Sequence, residues 1–471
     1  MRDHILFYIN GKPQRVSRRA EAFQTLSRYL RYGQRATGTK IVCEEGDCGA
    51  CTVLVGRVEN GALKYRPVNS CIQFLFQLDL THVVTVEGLA PRGELNAVQE
   101  AMVRCHGAQC GYCTPGFIVA MTAMYEETST PDEADIRRAV TGNLCRCTGY
   151  EPIVKAGLET DGARMQRIEQ LYPGATMLRK FEALAGEAVR IDNFFKPVDL
   201  ASAIAFKAEN PKCVIVQGAT DFGVWCNKRG FVPDAVLSLS GIEGMGDIGL
   251  DDGTLVVGGR VSLAQFESFV RELVPQLAPV MDRFGSPQIK NAGTLAGNIA
   301  NASPIADSLP FLYVTGAKLE LTGKDGARVV PIDAFYKGYK TLDLRPDEII
   351  TRILVPLPAG NDTLRLYKIS KRSHLDISSF TAAMLLRRDD SRISAIRIAY
   401  GGVGPLVLRL PRTEAFLSGK PFALDVLDEA GEIAREEITP ISDVRGSRDF
   451  RLQLARNVLK KFYYDVSEAG S

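Results

Sequence analysis

Eight of the 11 cysteines in this 471-residue chain stand at spacings that suit metal ligation. The first set is Cys43-x4-Cys48-x2-Cys51, with Cys71 following after nineteen further residues. Iron–sulfur clusters take soft thiolate ligands, and three cysteines on one wrapping loop with a fourth from elsewhere is the plant-type two-iron spacing. Gly46 and Gly49 lie in that loop, where a missing Cβ lets the backbone take positive φ and approach inorganic sulfide. Zinc is the competing metal, but its knuckles usually come as two C-x2-C pairs. In the second set, Cys110-x2-Cys113 and Cys145-x-Cys147, each pair precedes a predicted helix. The free N–H groups and positive dipole end there lower thiol pKa and favour an anionic cluster. By spacing alone a four-cysteine zinc site also fits this second set. Two adjacent one-electron centres, however, make a relay, whereas one cluster beside one zinc serves no shared purpose. Cys105, Cys213 and Cys226 lack partners at ligand spacing and read as buried structural thiols. Cys105-His106 adds a His that could ligate iron, but four ligands are already present, and four His in all leave no His-rich site.

These cysteines need elements to hold them. Residues 1–90 read as a small mixed α/β domain, with strands at 5–9 and 52–58, a turn at Asn10-Gly11-Lys12-Pro13, and a helix over 21–32 carrying Phe23, Leu26 and Leu30. Residues 91–160 change to about four helices: Val98, Met102 and Val103 share one face, and Phe117, Ala120, Met121 and Met124 another. Pro115 suits a first helical turn, Asp132-Glu133 the start of a third helix, and Pro152 a fourth. Residues 161–188 are charged and weakly periodic, as a linker would be. A third unit, 189–358, alternates short apolar strands with helices and Gly-rich turns. The last, 362–467, opens in long alternating runs and closes in a helical pattern.

Composition bounds the rest. A net charge of +2 gives no field to gather nucleic acid, and 45% hydrophobic with 24% charged residues is ordinary for soluble domains. The N-terminus lacks the apolar stretch of a secretion signal and the longest apolar run, 116–125, is too short to span a bilayer, so a cytoplasmic protein with no membrane segment is expected. In that reducing compartment clustered cysteines serve as ligands or reactive thiols rather than disulfides.

Three segments then become specific: Glu45-Gly46-Asp47-Cys48-Gly49-Ala50-Cys51-Thr52-Val53, Gln109-Cys110-Gly111-Tyr112-Cys113-Thr114-Pro115-Gly116 and Gly142-Asn143-Leu144-Cys145-Arg146-Cys147-Thr148-Gly149-Tyr150. They resemble the signatures of the molybdenum hydroxylase family, in the order found in the iron–sulfur region of its xanthine dehydrogenases. The resemblance implies a multidomain α+β chain: a β-grasp plant-type ferredoxin domain, a four-helix [2Fe-2S] domain, a vanillyl-alcohol-oxidase-type FAD-binding domain and a C-terminal α+β domain. It also implies that the helical-domain cluster lies nearer the molybdenum, with Gln109 approaching the molybdopterin.

The flavin part begins from a rejected motif. Gly244-Met245-Gly246-Asp247-Ile248-Gly249 is formally G-x-G-x-x-G, but a turn at 250–253 follows where a dinucleotide site needs a helix. Two other segments suit a diphosphate better, because small side chains let clustered N–H groups reach phosphate oxygens. One is the strand and turn 214–222, the other the small-residue stretch 293–307. The family resemblance assigns FAD to Ile215, Val216, Gln217, Gly218, Ala219, Thr220, Asp221 and Phe222, with Phe284 packing on the flavin. It adds Thr294, Leu295, Ala296, Gly297, Asn298 and Asp307, with Ile350 near the adenine and Lys368 near the flavin ring. Lys368 and Asp376 stand on the flavin and NAD side. There the sequence departs from animal members, with Ser373-His374-Leu375 preceding the acid. The resemblance thus implies an oxidoreductase subunit that passes electrons from molybdenum on a separate large subunit through two [2Fe-2S] clusters to FAD and NAD+. The substrates implied are hypoxanthine and xanthine, the product urate, and the assembly a hetero-oligomer with two or more copies of each chain. The alternatives are a small subunit acting with aldehydes or N-heterocycles, and a zinc-stabilised interaction protein.

Overall fold

In this computed structural model, which describes residues 1–468, two hairpins supply most of the first sheet. β1 (Ile5–Ile9) and β2 (Lys12–Val16) pair through Asn10-Gly11, β3 (Thr52–Glu59) and β4 (Ala62–Asn69) through Asn60-Gly61. All four turn residues have positive φ, between 47° and 79°, as two-residue I′ turns require. β5 (His82–Val84) runs parallel to β1 and antiparallel to β3, giving the order β2-β1-β5-β3-β4 of a mixed β-grasp sheet. The helix expected over 21–32 is broken. Arg19–Ala22 is helical, and Leu26–Arg28 continues into a wider π turn at Tyr29–Gly33. Between them Thr25 bridges Phe74, and the Leu26 N–H donates to the Gln73 carbonyl at 2.6 Å. Leu26 and Leu30 are nonetheless fully buried, so the apolar spacing was right about burial and wrong about continuity.

His82 sits without exposure at the centre of this sheet. Its Nε2 accepts from the Gly11 N–H at 3.0 Å and its Nδ1 meets the Tyr65 hydroxyl at 2.7 Å. Burial lowers its pKa from 6.5 to about 4. The folded state therefore holds a neutral ring while the unfolded chain protonates below 6.5. The stabilisation is complete above pH 6.5, declines as pH falls, and levels off below about pH 4, with a total near 3 kcal/mol. Urea unfolding of wild type and His82→Gln at pH 7.5 and 4 should show their difference shrinking by about that amount. A constant difference would remove the neutral-His account.

The second cysteine set rides on four helices, Ala97–Arg104, Thr114–Glu127, Glu133–Ala139 and Glu151–Leu158. Pro115 and Pro152 lie in first turns, and Asn96 and Asp132 cap their helices by accepting from Gln99 and Asp135 N–H groups at 2.8 Å. Helix 114–127 is buried from Gly116 to Tyr125, which explains its unbroken apolar composition. Val103, expected to share a face with Val98 and Met102, is instead 68% exposed. Five residues on from Val98 is about 140° around the helix, away from the buried stripe.

Residues 161–188, expected as an inter-domain connector, contain the helix Ala175–Ala185. Its Met177 and Phe181, four residues apart, bury against Tyr8, an inward pair too sparse to register as periodicity. A second small sheet follows, β6 (Val189–Ile191), β7 (Phe194–Lys196), β8 (Val214–Ile215) and β9 (Val236–Leu237), in the order β6-β7-β9-β8. It shares one apolar core with the first sheet: Phe76 packs on Phe194 and Phe74 on Phe222. Beside that core Asp79 accepts from both Arg2 terminal nitrogens at 2.8 Å, from Lys196 Nζ at 2.7 Å and from the Leu6 N–H at 3.0 Å.

The described residues form two compact units. The first comprises 1–243 with 262–264 and 286–293; the second takes 244–261, 265–285 and the chain from 294 on. In the first, the helix Pro287–Ala292 is capped by Ser286, and Asn291 Nδ2 donates to the Pro67 carbonyl at 3.0 Å. In the second, the sheet order β10-β11-β16-β12-β13 is built from β10 (Ile248–Asp251), β11 (Thr254–Gly258), β12 (Lys318–Gly323), β13 (Gly326–Pro331) and β16 (Ile349–Pro356). The formal G-x-G-x-x-G thus runs into the β10–β11 hairpin, not a helix. A small hairpin, β14 (Tyr336–Gly338) and β15 (Thr341–Leu342), stands apart from that sheet. Finally β17 (Asp362–Ile369), β18 (Phe380–Asp389), β19 (Arg392–Gly401) and β20 (Leu408–Arg409) form an antiparallel sheet. Helices Leu424–Glu436 and Arg448–Glu468 contribute to its core. No helix among the described residues is long and apolar enough to cross a membrane.

Candidate functional site

The loop leading into β3 brings Cys43, Cys48 and Cys51 to Cys71, which follows β4. Cys43 contacts both Cys48 and Cys71, and Cys51 contacts Cys71. The Cys48 N–H also points to Cys43 Sγ at 3.4 Å. Cys51 and Cys71 are 2% and 1% exposed. Contact with Cys48 and then Cys71 holds the Cys43 thiol far below its ordinary value, while Cys48 and Cys71 are pushed far up. Four thiols so close cannot all ionise unless cationic charge stands among them, the condition an iron–sulfur core supplies. Gly46 and Gly49 have φ of 79° and 69°, and a Cβ on Gly49 would lie 2.2 Å from the Gly142 carbonyl oxygen. The loop's shape therefore depends on glycine at that position.

In the second set Cys147 Sγ lies 3.7 Å from Cys110 Sγ, and Cys113 contacts Cys145. Burial, then that contact, pushes Cys113 up to about 12. Cys145 is lowered: burial opposes this, but the Thr148 hydroxyl at 3.1 Å and its N–H at 3.5 Å outweigh it. Cys110, Cys147 and Gln109 are exposed, as are Tyr112 and Leu144. The buried Thr114 hydroxyl beside Cys113 has no hydrogen-bond partner among the described residues, so a donor stands ready for an acceptor such as sulfide. Among the described residues no group of three or more His, Cys, Asp or Glu side chains is arranged to hold a single metal ion, whereas a two-iron cluster shares four thiolates between two irons. The donor set, the glycine cradle and the orphaned hydroxyl all fit that group. The remaining cysteines stand apart from both sets. Cys105 donates to Glu159 at 3.1 Å, Cys213 is buried, and Cys226 packs half-buried on the core.

The expected flavin residues divide between the two units. In the first, β8 ends at Ile215 and a tight turn enters the helix Phe222–Arg229. The Val216 N–H donates to the Leu237 carbonyl at 2.9 Å, and Gln77 Nε2 donates to the Gln217 carbonyl at 2.9 Å. Ala219 is held at φ 57°, a strained conformation for a residue with a Cβ and one that concentrates at ligand sites. Thr220 is partly exposed, Asp221 exposed, and the buried Gln217 Oε1 has no partner among the described residues. A Cβ on Gly218 would lie 2.2 Å from the Ala292 carbonyl oxygen, backbone that cannot yield. Gly218→Ala is therefore expected to cost about 1–3 kcal/mol and to lower retained flavin absorbance. Gly186→Ala, where a Cβ meets nothing within 4 Å, serves as the neutral comparison in both readouts.

In the second unit Thr294 caps the short helix Leu295–Ala300, its hydroxyl accepting from the Gly297 N–H at 3.0 Å. Leu295 and Ala296 are buried, and Asn298 accepts from the Ser308 hydroxyl at 2.6 Å. Phe284 is half-buried and Ile350 is buried on β16. Lys368, Asp307 and Asp376 do come together. Lys368 Nζ donates to Asp307 Oδ2 at 2.5 Å, to the Ser378 hydroxyl at 2.9 Å and to the Asp376 carbonyl at 3.1 Å, and Ser378 donates to Asp307 Oδ1 at 2.5 Å. The Asp376 carboxylate turns the other way and accepts from the Arg372 N–H at 2.9 Å. Burial pushes the Asp307 carboxyl up against the pull of Lys368. Ser378 was absent from the sequence expectation. So were Thr114, and Asn143 and Gln288, whose partners lie far away in the chain.

Comparison with known proteins agrees with this layout. Residues 85–158 match a [2Fe-2S] binding domain, 186–358 the FAD binding domain in molybdopterin dehydrogenase, and 365–466 the CO dehydrogenase flavoprotein C-terminal domain. The xanthine dehydrogenase of Oryza sativa subsp. japonica is 28% identical over 98% of this chain, and aldehyde oxidase 1 of Bos taurus likewise 28% over 98%. This chain spans 39% of the length of each. A chain of quinoline 2-oxidoreductase from Pseudomonas putida 86 superposes with a TM-score of 0.54 at 29% identity, over 58% of this chain and 96% of that one. Cysteine motifs, domain order and relatives converge on one conclusion: the chain belongs to the molybdenum hydroxylase family and carries its iron–sulfur and FAD-binding domains.

Proposed function

We propose that this chain is the electron-transfer subunit of a xanthine dehydrogenase, linking a molybdopterin-bearing large subunit to NAD+ through two [2Fe-2S] clusters and FAD. The observation that carries the reading is the convergence of both cysteine sets within one unit that also holds the 215–222 turn. One-electron clusters beside a two-electron flavin convert single electrons into a hydride-equivalent pair.

In this reading Cys43, Cys48, Cys51 and Cys71 hold one cluster in the buried site, where the surrounding protein excludes water. Cys110, Cys113, Cys145 and Cys147 hold the other at the surface, with Gln109, Tyr112 and Leu144 forming the face toward the large subunit and its molybdopterin. Ile215 to Phe222 carry the FAD diphosphate; Phe284, Thr294 to Asn298, Asp307 and Ile350 take the rest of the cofactor. Lys368, neutralised by Asp307, sits on the flavin and NAD side with Asp376. We assign domains at 1–90, 91–160, 189–358 and 362–467, with 161–188 joining them, in a hetero-oligomer with more than one copy of each chain.

A second reading, oxidation of an aldehyde or N-heterocycle, draws on the aldehyde oxidase and quinoline 2-oxidoreductase relatives. It also draws on Ser373-His374-Leu375 at the acceptor side. Anaerobic purification with iron, flavin and molybdenum analysis and identification of the co-purifying large chain tests both. Flavin bleaching by xanthine supports the first; bleaching only by an aldehyde or quinoline supports the second. A colourless, iron-free protein sinks both and favours zinc.

A further inference from the structure

The two cysteine loops touch at a seam that leaves little room for side chains. The Leu144 N–H, next to Cys145, donates to the Cys48 carbonyl at 3.0 Å. Around that bond three glycines stand where no Cβ fits. A Cβ on Gly49 would be 2.2 Å from the Gly142 oxygen, one on Gly116 2.2 Å from the Gly49 oxygen, and one on Gly142 2.0 Å from Gln288 Oε1. Asn143 Nδ2 donates to the Gly49 carbonyl at 3.0 Å, and the Thr52 hydroxyl donates to the same carbonyl at 2.6 Å. Gln288, on the helix Pro287–Ala292, closes the network: its Nε2 donates to Asn143 Oδ1 at 2.9 Å and to Thr52 Oγ1 at 3.3 Å. Gln288 is 0% exposed and Asn143 and Thr52 2% each.

We propose that Gln288 is a positioning residue for electron transfer between the two clusters. Its amide clamps the residue two before Cys145 to the residue after Cys51, and so holds the Cys48–Leu144 contact closed. The inference rests on the two-cluster reading above and deepens it. Tunnelling falls exponentially with separation, so a slight opening of this contact acts on the rate before it acts on either cluster. Gln288 belongs to neither cysteine loop. It comes from the helix that leads into Gly293 and the second flavin segment, so the flavin part of the chain sets how closely the clusters approach. Truncating the amide leaves Asn143 Oδ1 buried without a donor, which drives that side chain to seek another partner.

The test uses the purified holoenzyme carrying Gln288→Met, with Asn291→Ala as a control that loosens the same helix by removing its bond to Pro67. Iron content and the g-values of both clusters are expected to stay those of wild type in each variant. In Gln288→Met alone, the magnetic splitting between the two reduced clusters should narrow. Equilibration between them after a photochemical one-electron pulse should slow by about tenfold or more, as small misplacements at a reacting pair do. If Gln288→Met loses iron, Thr52→Val, which deletes the hydroxyl both amides reach, gives the same readouts. Unchanged splitting and rate in a variant with both clusters would overturn the inference, as would equal slowing in Asn291→Ala. A wild-type protein without two iron signals would overturn the two-cluster reading itself, a distinguishable outcome.

Discussion

Replacing Cys43 with Ser is expected to remove one of two two-iron electron paramagnetic signals and to lower bound iron from roughly four atoms per chain to roughly two. Cys43 touches two others of its set, Cys48 and Cys71, so its loss opens the site on both sides. A serine oxygen is a harder and more basic ligand than thiolate, ill matched to iron within a sulfide core. The signal of the second set should survive, because Cys110, Cys113, Cys145 and Cys147 contact one another and not Cys43. If electrons run through both clusters to FAD, flavin reduction by the enzyme's substrate slows while reduction by NADH persists. Cys213→Ser, remote from both sets, should change neither iron nor signal. Retention of both signals in Cys43→Ser would falsify the ligand assignment of that residue.

The second large effect concerns stability. Asp79 lies between Arg2 and Lys196, pairing with both, and all three side chains are at most 6% exposed. Burial pushes its carboxyl up, but the hydrogen bonds and charges of Arg2 and Lys196 together hold it below the usual value. Its stabilising contribution is therefore present above the unfolded carboxylate pKa and is lost as pH falls through the lower folded value. Asp79→Asn leaves two buried cations facing a neutral amide, at an expected cost of about 3–5 kcal/mol. The triple variant Arg2→Met, Asp79→Leu, Lys196→Met should cost less than that single change, because both cations leave together with the carboxylate they pair with. Denaturant titration of the three proteins, including wild type, decides the matter: a triple variant less stable than Asp79→Asn would show that the ion cluster itself, rather than charge balance, holds the region.

Much of the site was legible because ligand chemistry is local. Cys43-x4-Cys48-x2-Cys51 must lie on one loop, and Pro115, Asp132 and Pro152 announce helix starts through backbone valence alone. The hairpin turns were equally readable, since Asn-Gly tolerates the positive φ that the turns demand. Where local rules failed, a distant partner had intervened. The helix over 21–32 broke because residues 73 and 74 offered Leu26 and Thr25 a backbone alternative. The helix within 161–188 was not legible because the surface that buries its Phe181 is Tyr8, far away in the chain. Val103 failed for a simpler reason, a misjudged angle around its own helix.

The amino-acid sequence by itself determined which groups could bind soft metal, which turns could carry an anion, and the family to which those motifs point, because each depends on residues near one another in the chain. Only the tertiary structure decided that Lys368 is spent on Asp307 and Ser378, and that Asp79 gathers cations from residues 2 and 196. It alone joined Gln288 to Asn143 across 145 positions of sequence. Such contacts are set by which buried polar groups must find partners once the core has closed, and burial is a property of the packed chain that no local spacing records.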